Sequence, residues 1–247
     1  MHIAPPLFEK AHSYLDLQLT RPPLSSGVHG APPSQFITLS RECGSGGSSL
    51  ARLLAARLNR DCPPSGIQAP WTVFDHEIVQ HMLTSQDLSP KLARFLPEDK
   101  VSELSSSVGE IVGLHPNLWD LVQRTNQFLR SLATGGRVIL VGRGANFATA
   151  AIGGGIHIRL TAPADFRIRH MSHVLRCTAH EAGAHVRRVD AARRSYVRSV
   201  FDRDVADPLA YDLVINTAQV GLDQATALIT TLVAVRAPAP ANVEAAV

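Results

Sequence analysis

The sequence predicts a three-layer α/β fold in which a central, mainly parallel five-stranded sheet is flanked by helices. Short apolar runs alternate along the chain with longer stretches of helical spacing, as in folds built from strand–helix–strand units. The runs are continuously apolar, which is typical of strands buried on both faces. A chain of 247 residues, 45% hydrophobic and 18% charged, has the composition of a globular domain and not of a disordered one.

The two ends of the chain differ from the segment between them. Residues 1–34 contain three Pro-Pro pairs among Ser and Gly, a composition that disfavours helix interiors and central strands. Residues 237–247 are equally unpatterned. We therefore expect a Pro-rich flexible extension over 1–34, one domain over 35–236 and a flexible tail over 237–247.

Within this domain the predicted elements follow one another in order. Strands are expected at 36–40, 71–74, 138–141, 156–160 and 211–216. Helices are expected over 50–58, from 76 to about 96, over 118–133, after Pro163, from Thr178, and over 222–235. Thr178 and Glu181 have the spacing of a capping box. In parallel sheets of this kind the ligand lies at the carboxyl ends of the strands, here after Leu39, Phe74 and Val141.

The turn after the first strand has the composition of a phosphate-binding loop. Closely spaced glycines between a strand and a helix let backbone N–H groups approach an anion, and the positive end of the helix dipole adds to the attraction. A tight turn without a ligand would have the same composition, so both interpretations remain open at this point. The residues concerned are Gly44, Ser45, Gly46, Gly47, Ser48 and Ser49.

The match of this turn to the P-loop pattern G-x-x-x-x-G-K-[ST] is partial. Gly46 has the place of the second glycine, and Ser48 has the place whose hydroxyl meets Mg²⁺. Arg41 stands in place of the first glycine and Gly47 in place of the lysine. Because that lysine normally reaches the β- and γ-phosphates, another cation would have to act there during phosphoryl transfer.

Several short motifs, in a fixed order, resemble those of the cytidylate kinase-like family, which is related to the P-loop nucleoside monophosphate kinases. They are S-R-E-x-G-S-G-G, F-D-H-E-I, V-G-R-G-A-N, R-x-D-x-x-R and Y-D-L-V-I-N-T, and together they cover about 36–235. The glycine in place of the lysine also resembles the pattern of this family. The resemblance implies a P-loop NTPase fold. It also implies ATP-dependent transfer of the γ-phosphoryl group to a nucleoside monophosphate, first CMP or dCMP, with Mg²⁺.

The resemblance further implies roles for individual residues. Residues 44–49 would hold the ATP phosphates, with the Ser48 hydroxyl on Mg²⁺, and a helical region over about 76–133 would bind the acceptor. A lid over about 178–204 would close over both nucleotides. Residues expected to act on the transferring group are Arg143, Arg188 and Arg193, and those expected to contact the acceptor are Asp75, Arg143, Arg167 and Asp190.

Other interpretations of these residues remain. Kinases of this type carry carboxylates where this chain has Val141 and Gly144. That departure and the missing lysine favour a catalytically weak P-loop module that binds a nucleotide and regulates a partner. Asp75 has the position of a helix N-cap. The arginines over 187–198 would also suit a solvated basic face with weak ion pairs, such as Asp190 with Arg194 at i,i+4.

Composition argues against several classes of partner. A net charge of only +3, with few aromatic residues among the basic ones, disfavours nucleic acid. The longest apolar-rich stretch is shorter than the ~20 residues of a membrane span. No signal peptide is visible. We therefore expect no membrane partner and a cytoplasmic protein that binds small-molecule nucleotides.

The three cysteines, Cys43, Cys62 and Cys177, are too scattered for a disulfide framework or a zinc site. Cys43 lies in the glycine-rich turn, close to the predicted start of a helix. A thiolate is stabilised at such a position. We therefore expect Cys43 to be sensitive to oxidation.

Overall fold

The computed structural model describes residues 13–14, 34–64, 68–75 and 116–236, with side chains from residue 122 onward in the last range. Its strands are β1 (Phe36–Arg41), β2 (Thr72–Asp75), β3 (Val138–Val141), β4 (Gly155–Thr161) and β5 (Leu213–Asn216). Its helices are α1 (Gly47–Asp61), α2 (Pro116–Gly135), α3 (Ala145–Ala148), α4 (Ala164–Leu175), α5 (Ala179–Phe201) and α6 (Leu222–Arg236). The predicted helix at 76–96, the tail over 237–247 and most of 1–34 lie outside the described residues.

The strands form one sheet in the order β2-β3-β1-β4-β5, and every neighbouring pair is parallel. The predicted α/β class with five strands is confirmed. Val141 is paired with Leu39 on one side and with Asp75 on the other, so the carboxyl ends of β1, β2 and β3 lie together. The strand order reverses beside β1, which is where ligands bind in sheets of this type.

Alternation along the strands divides the core into two layers. Ile37 and Leu39 of β1 pack with α1 and α6, whereas Phe36 packs with α2 and α3 on the opposite face. Each large apolar side chain buried in this way contributes about 1.5–3 kcal/mol. Because helices cover both faces, the ends of the strands are the part of the sheet left for a ligand.

Element bounds differ from the predicted ones by a few residues. β2 extends to Asp75, and β5 begins at Leu213, two residues after Tyr211. The capping box at the start of α5 forms as predicted: Thr178 Oγ1 accepts from the Glu181 N–H, and the Glu181 carboxylate accepts from the Thr178 N–H at 2.9 Å. The predicted lid over 178–204 is thus mostly one continuous helix of 23 residues. None of the described helices is both long enough and apolar enough to cross a bilayer.

Candidate functional site

The loop between β1 and α1 has a backbone that suits glycine. Gly44 and Gly46 have φ angles of +82° and +84°, a region that side chains disfavour and glycine adopts readily. A Cβ on Gly44 would also lie 2.6 Å from the carbonyl oxygen of Arg167 in α4. The conformation and the packing of this loop therefore both require glycine.

The start of α1 presents backbone donors without acceptors. α1 has no side-chain cap and no acidic residue in its first turn. Within the described part of the chain, five N–H groups of this turn make no hydrogen bond; they belong to Gly44, Gly46, Gly47, Ser48 and Ser49. Since a helix N-terminus also acts like roughly half a positive charge, the turn fits the phosphate groups of a nucleotide.

Three donors of the same loop, from two residues, are used inside the protein. The Cys43 N–H donates to Asp190 Oδ1 at 2.7 Å. Ser45 is buried, and both its N–H and its hydroxyl donate to the carbonyl oxygen of Glu42, at 3.3 and 2.8 Å. These bonds fix the loop, so that its remaining N–H groups have a set direction before any ligand binds.

A cavity of about 320 Å³ lies at the carboxyl ends of β1 and β3, beneath α5. It adjoins the loop through Arg41 and Glu42, whereas residues 43–49 do not line it. Five arginines and two carboxylates line its walls. These charged residues are Arg41, Glu42, Arg143, Arg159, Asp190, Arg193 and Arg194.

Both wall carboxylates are bound by Arg167 of α4, which does not itself line the cavity. Arg167 Nη1 lies 2.6 Å from Asp190 Oδ2, and Arg167 Nε lies 3.4 Å from Glu42 Oε2. The same guanidinium donates to the carbonyl oxygens of Ala162 and Cys43. Arg167 and the five arginines of the wall together face only two carboxylates, so positive charge is in excess around the cavity, which suits an anion.

The cavity arginines are held by neighbouring groups. Arg143 has a φ of +55° and lies over the Tyr196 ring at 5.9 Å. Arg159 donates to Ser40 Oγ at 3.1 Å and lies over the Tyr211 ring. Arg193 donates from Nη1 to the carbonyl oxygen of Arg41 at 3.1 Å.

Burial in the cavity wall changes the acidity of two of these arginines. Burial lowers the pKa of Arg143 and the pKa of Arg193, because the charged form loses hydration there. A bound anion would offset this cost. The lowered pKa values therefore favour a negatively charged group in this cavity.

The predicted magnesium ligand Ser48 lies in the first turn of α1 with its side chain exposed. Burial lowers the pKa of Arg41, and Asp75, at the end of β2, is close enough for its negative charge to oppose part of that lowering. Mg²⁺ takes oxygen ligands and is usually held by one or two carboxylates together with phosphate oxygens and water. Ser48 and Asp75 supply the right kinds of oxygen, so the described residues fit an ion carried in with a nucleotide.

The structure places the other predicted site residues in three different settings. Arg143, Asp190 and Arg193 lie on the cavity wall. Arg167 is buried behind it, with its Nε and Nη1 donating to protein oxygens. Arg188 is exposed on α5, outside the cavity lining, and lies 3.3 Å from His185 Nδ1. The catalytic and acceptor-binding roles of these residues stay predictions.

The predicted ion pair between Asp190 and Arg194 is wrong. Asp190 is buried and lies on the side of α5 that faces α4, so it binds Arg167 instead. Within α5 it is Arg193, three residues on, that lies near Asp190, with Nη1 3.9 Å from Oδ1. The closest cation, Arg167, comes from another helix, because a buried carboxylate pairs with a buried cation beside it whatever their separation in the sequence.

Sequence reasoning gave no role to Arg159, although it interrupts the apolar run of β4 and is only 7% exposed. A charged residue inside a buried strand is costly unless it meets a partner or a ligand, so its position was an available signal. Tyr196 and Tyr211, which lie under arginines, carried no comparable signal in the sequence.

Cys43 differs from the expectation drawn from the sequence. The residue is 6% exposed. Burial raises the pKa of its thiol, and the nearby Arg193 offsets this only in part. Although the thiol is close to a helix N-terminus, loss of water outweighs the helix dipole, and the neutral thiol is favoured.

We expect Cys43 to react with iodoacetamide at least about tenfold more slowly than the exposed Cys62, because a buried thiol is neither ionised nor accessible. Mass spectrometry of peptides from the native, full-length chain measures both rates. Denatured protein, in which both sites should react similarly, is the control. Faster modification of Cys43 in the native chain would contradict this account of the loop.

We expect Arg167→Leu to lower the free energy of unfolding by about 3–5 kcal/mol, because it leaves the buried Asp190 and the half-buried Glu42 without their cation. Urea unfolding followed by circular dichroism measures the change. Arg60→Leu, at the exposed end of α1, is the matched control and should change little. Equal stability of the Arg167 variant and the wild type would show that the cross-link is not structural.

Comparison with known proteins gives one family and a set of similar folds. The family model described as "Cytidylate kinase-like family" matches residues 36–219. An uncharacterized protein from Eubacterium ventriosum ATCC 27560 superimposes with a TM-score of 0.62 at 19% identity, over 82% of this chain and 99% of that one.

A shikimate kinase from Bacteroides thetaiotaomicron gives a TM-score of 0.45 at 14% identity, over 81% of this chain and 98% of that one. No curated protein sequence matches the chain. At such identities a likeness between structures concerns the fold, whereas the family model covers most of the described domain.

Proposed function

This chain belongs to the cytidylate kinase-like family, and we propose that it is a phosphotransferase that moves the γ-phosphoryl group of ATP to a nucleoside monophosphate. The main support for the proposal is that two surfaces suited to anions lie directly beside each other. Five N–H groups in the turn before and at the start of α1 make no hydrogen bond to any described residue, and an arginine-lined cavity begins at the preceding residues, Arg41 and Glu42. A donor phosphate chain on the first surface would thus reach an acceptor phosphate in the second.

The protein's part in donor binding is to position charge. The N–H groups of residues 44–49 would bind the phosphate oxygens of ATP, and Ser48 with Asp75 would hold Mg²⁺ beside them. When bound, that ion neutralises part of the phosphate charge. Because the loop is already fixed by Asp190 and Glu42, little ordering is required when the nucleotide binds.

In the proposed transfer, an oxygen of the acceptor's phosphate attacks the γ-phosphorus of ATP. A new P–O bond forms as the bond from the γ-phosphorus to its bridging oxygen breaks, and the electron pair of that bond leaves with ADP. The acceptor phosphate has a second pKa of about 6 and is largely ionised at neutral pH, so no general base is needed. Arg143, Arg159 and Arg193 would stabilise the charge on the transferring group.

The choice of CMP or dCMP as acceptor follows from the family to which the chain belongs. The cavity arginines support an anionic acceptor of any base, since they would contact its phosphate. Base selectivity would come from the region over about 76–133, of which 76–115 lie outside the described residues. A pyrimidine monophosphate is therefore the first acceptor to test.

One observation favours the second candidate, a catalytically weak module that binds nucleotide and regulates a partner. At the two positions where related kinases carry carboxylates, this chain has no room for an acidic side chain that reaches the site. Val141 is 3% exposed, and a Cβ on Gly144 would lie 2.4 Å from the Phe201 ring of α5. Nucleotide binding without transfer to any acceptor would select this function over the kinase.

A coupled assay of ADP release separates the two candidates. The full chain with ATP and Mg²⁺ would be tested with CMP, dCMP, UMP, AMP and GMP in turn. We expect release that depends on the acceptor and is fastest with CMP or dCMP. Saturable ATP binding with equal ADP release in all reactions, with or without an acceptor, would reject the kinase and favour the regulatory module.

We expect Arg193→Gln to lower kcat by about 10³, because an arginine at the transferring phosphoryl group has effects of that order. Arg188→Gln tests the lid, since this exposed residue could act only after α5 moves toward the nucleotides. The decrease in kcat should be smaller for Arg188→Gln than for Arg193→Gln. The Arg60→Gln variant, far from the cavity, is the control, and a kcat for Arg193→Gln equal to that of this control would remove Arg193 from the mechanism.

A further inference from the structure

The two departures from the P-loop pattern lie against each other in the structure. Arg41 replaces the first glycine of the pattern and ends β1, whereas Gly47 replaces the lysine and begins α1. A Cβ on Gly47 would lie 2.8 Å from Cγ, 3.2 Å from Cβ and 3.4 Å from Cδ of Arg41. The stem of the arginine thus fills the space through which a side chain at position 47 would leave the helix.

Beyond Gly47 the Arg41 side chain continues across the end of β3. A Cβ on Gly142 would lie 1.9 Å from Nη1 and 2.9 Å from Cζ of Arg41. The guanidinium therefore occupies the space that a side chain at Gly142 would need, and Arg41 lines the cavity together with Arg143 and Arg193. The Arg41 side chain thus extends from the end of β1 past the first turn of α1, and its guanidinium lies where the two proposed anion sites meet.

The guanidinium of Arg41 is not neutralised by the residues around it. It makes no hydrogen bond and no ion pair with any residue in the described ranges, although Asp75 is near enough to attract it. Burial, and next the charge of Arg193, lower the pKa of Arg41 to about 9. The group is still protonated at neutral pH, so a partly buried cation is kept beside the phosphate loop at a cost in stability.

We propose that Arg41 supplies the positive charge on the donor phosphates that a lysine at position 47 supplies in loops with the complete pattern. The inference rests on the proposed function and assigns to this residue the contact with the β- and γ-phosphates. It also explains why both departures occur together. The side chain of an arginine at position 41 has room only when position 47 is glycine. With glycine at position 47, the charge on the donor phosphates must come from another residue.

Substitutions at the two positions test this exchange, because the double variant R41G/G47K restores the complete pattern, G-E-C-G-S-G-K-S. MgATP, ADP and AMP affinities and CMP-dependent ADP release would be measured on the full chain for wild type, R41G, R41Q, G47K and R41G/G47K. Arg60→Gln is the matched control for loss of an arginine. Thermal unfolding of each variant shows that it is folded.

We expect R41G and R41Q to weaken MgATP binding by about 10- to 100-fold, the effect of losing one charge-assisted contact to phosphate. AMP affinity should change little, because AMP lacks the β- and γ-phosphates. The G47K variant should bind MgATP as poorly as R41G, since the new side chain meets the Arg41 stem. The double variant should return to within about fivefold of wild type.

Three outcomes would overturn the inference. R41G and R41Q could be folded and bind MgATP like the wild type, G47K alone could bind like the wild type, or the double variant could be folded and bind no better than R41G. A wild-type chain that binds no nucleotide would instead reject the proposed function as well. Because R41Q keeps the size of the side chain more nearly than R41G, the test stands even when R41G fails to fold.

Discussion

The arrangement of charge in this molecule depends on the buried cross-link made by Arg167. Its guanidinium joins α4 to Asp190 of α5 and to Glu42 of the loop, and Asp190 also accepts the N–H of Cys43. Removing one partner of such a pair leaves an uncompensated buried charge. The cross-link therefore holds three elements in register and offsets part of the carboxylate charge, although Arg193 of the cavity also lies 3.9 Å from Asp190.

Two neighbouring surfaces for anions follow from that arrangement. The loop keeps five N–H groups unbonded within the described part of the chain, and the cavity keeps more guanidinium than carboxylate charge. Burial of the cavity arginines costs hydration, and an anion would offset that cost. Phosphoryl transfer requires positioning and positive charge more than covalent catalysis, so a site with this composition suits the kinase-type function of the family.

Much of the fold could be predicted from the sequence, because continuous apolar runs and helical spacing depend on local periodicity. The turn at 44–49 could also be predicted, because its closely spaced glycines are a local signal. What could not be predicted depends on contacts between distant segments. Asp190 has Arg194 one turn away, yet it binds Arg167, 23 residues earlier. The Arg41 side chain crosses Gly47 and Gly142, and the buried state of Cys43 comes from packing that no local pattern records.

The central claim is that the N–H groups around Gly44, Gly46 and Gly47 bind phosphate, and amide chemical shifts test it most directly. The full chain labelled with ¹⁵N-glycine would be titrated with ADP, and in parallel with adenosine, after assignment of the glycine resonances. The account predicts saturable shifts of these three resonances with ADP and none with adenosine. Shifts confined to other glycines, or identical shifts with both ligands, would contradict it.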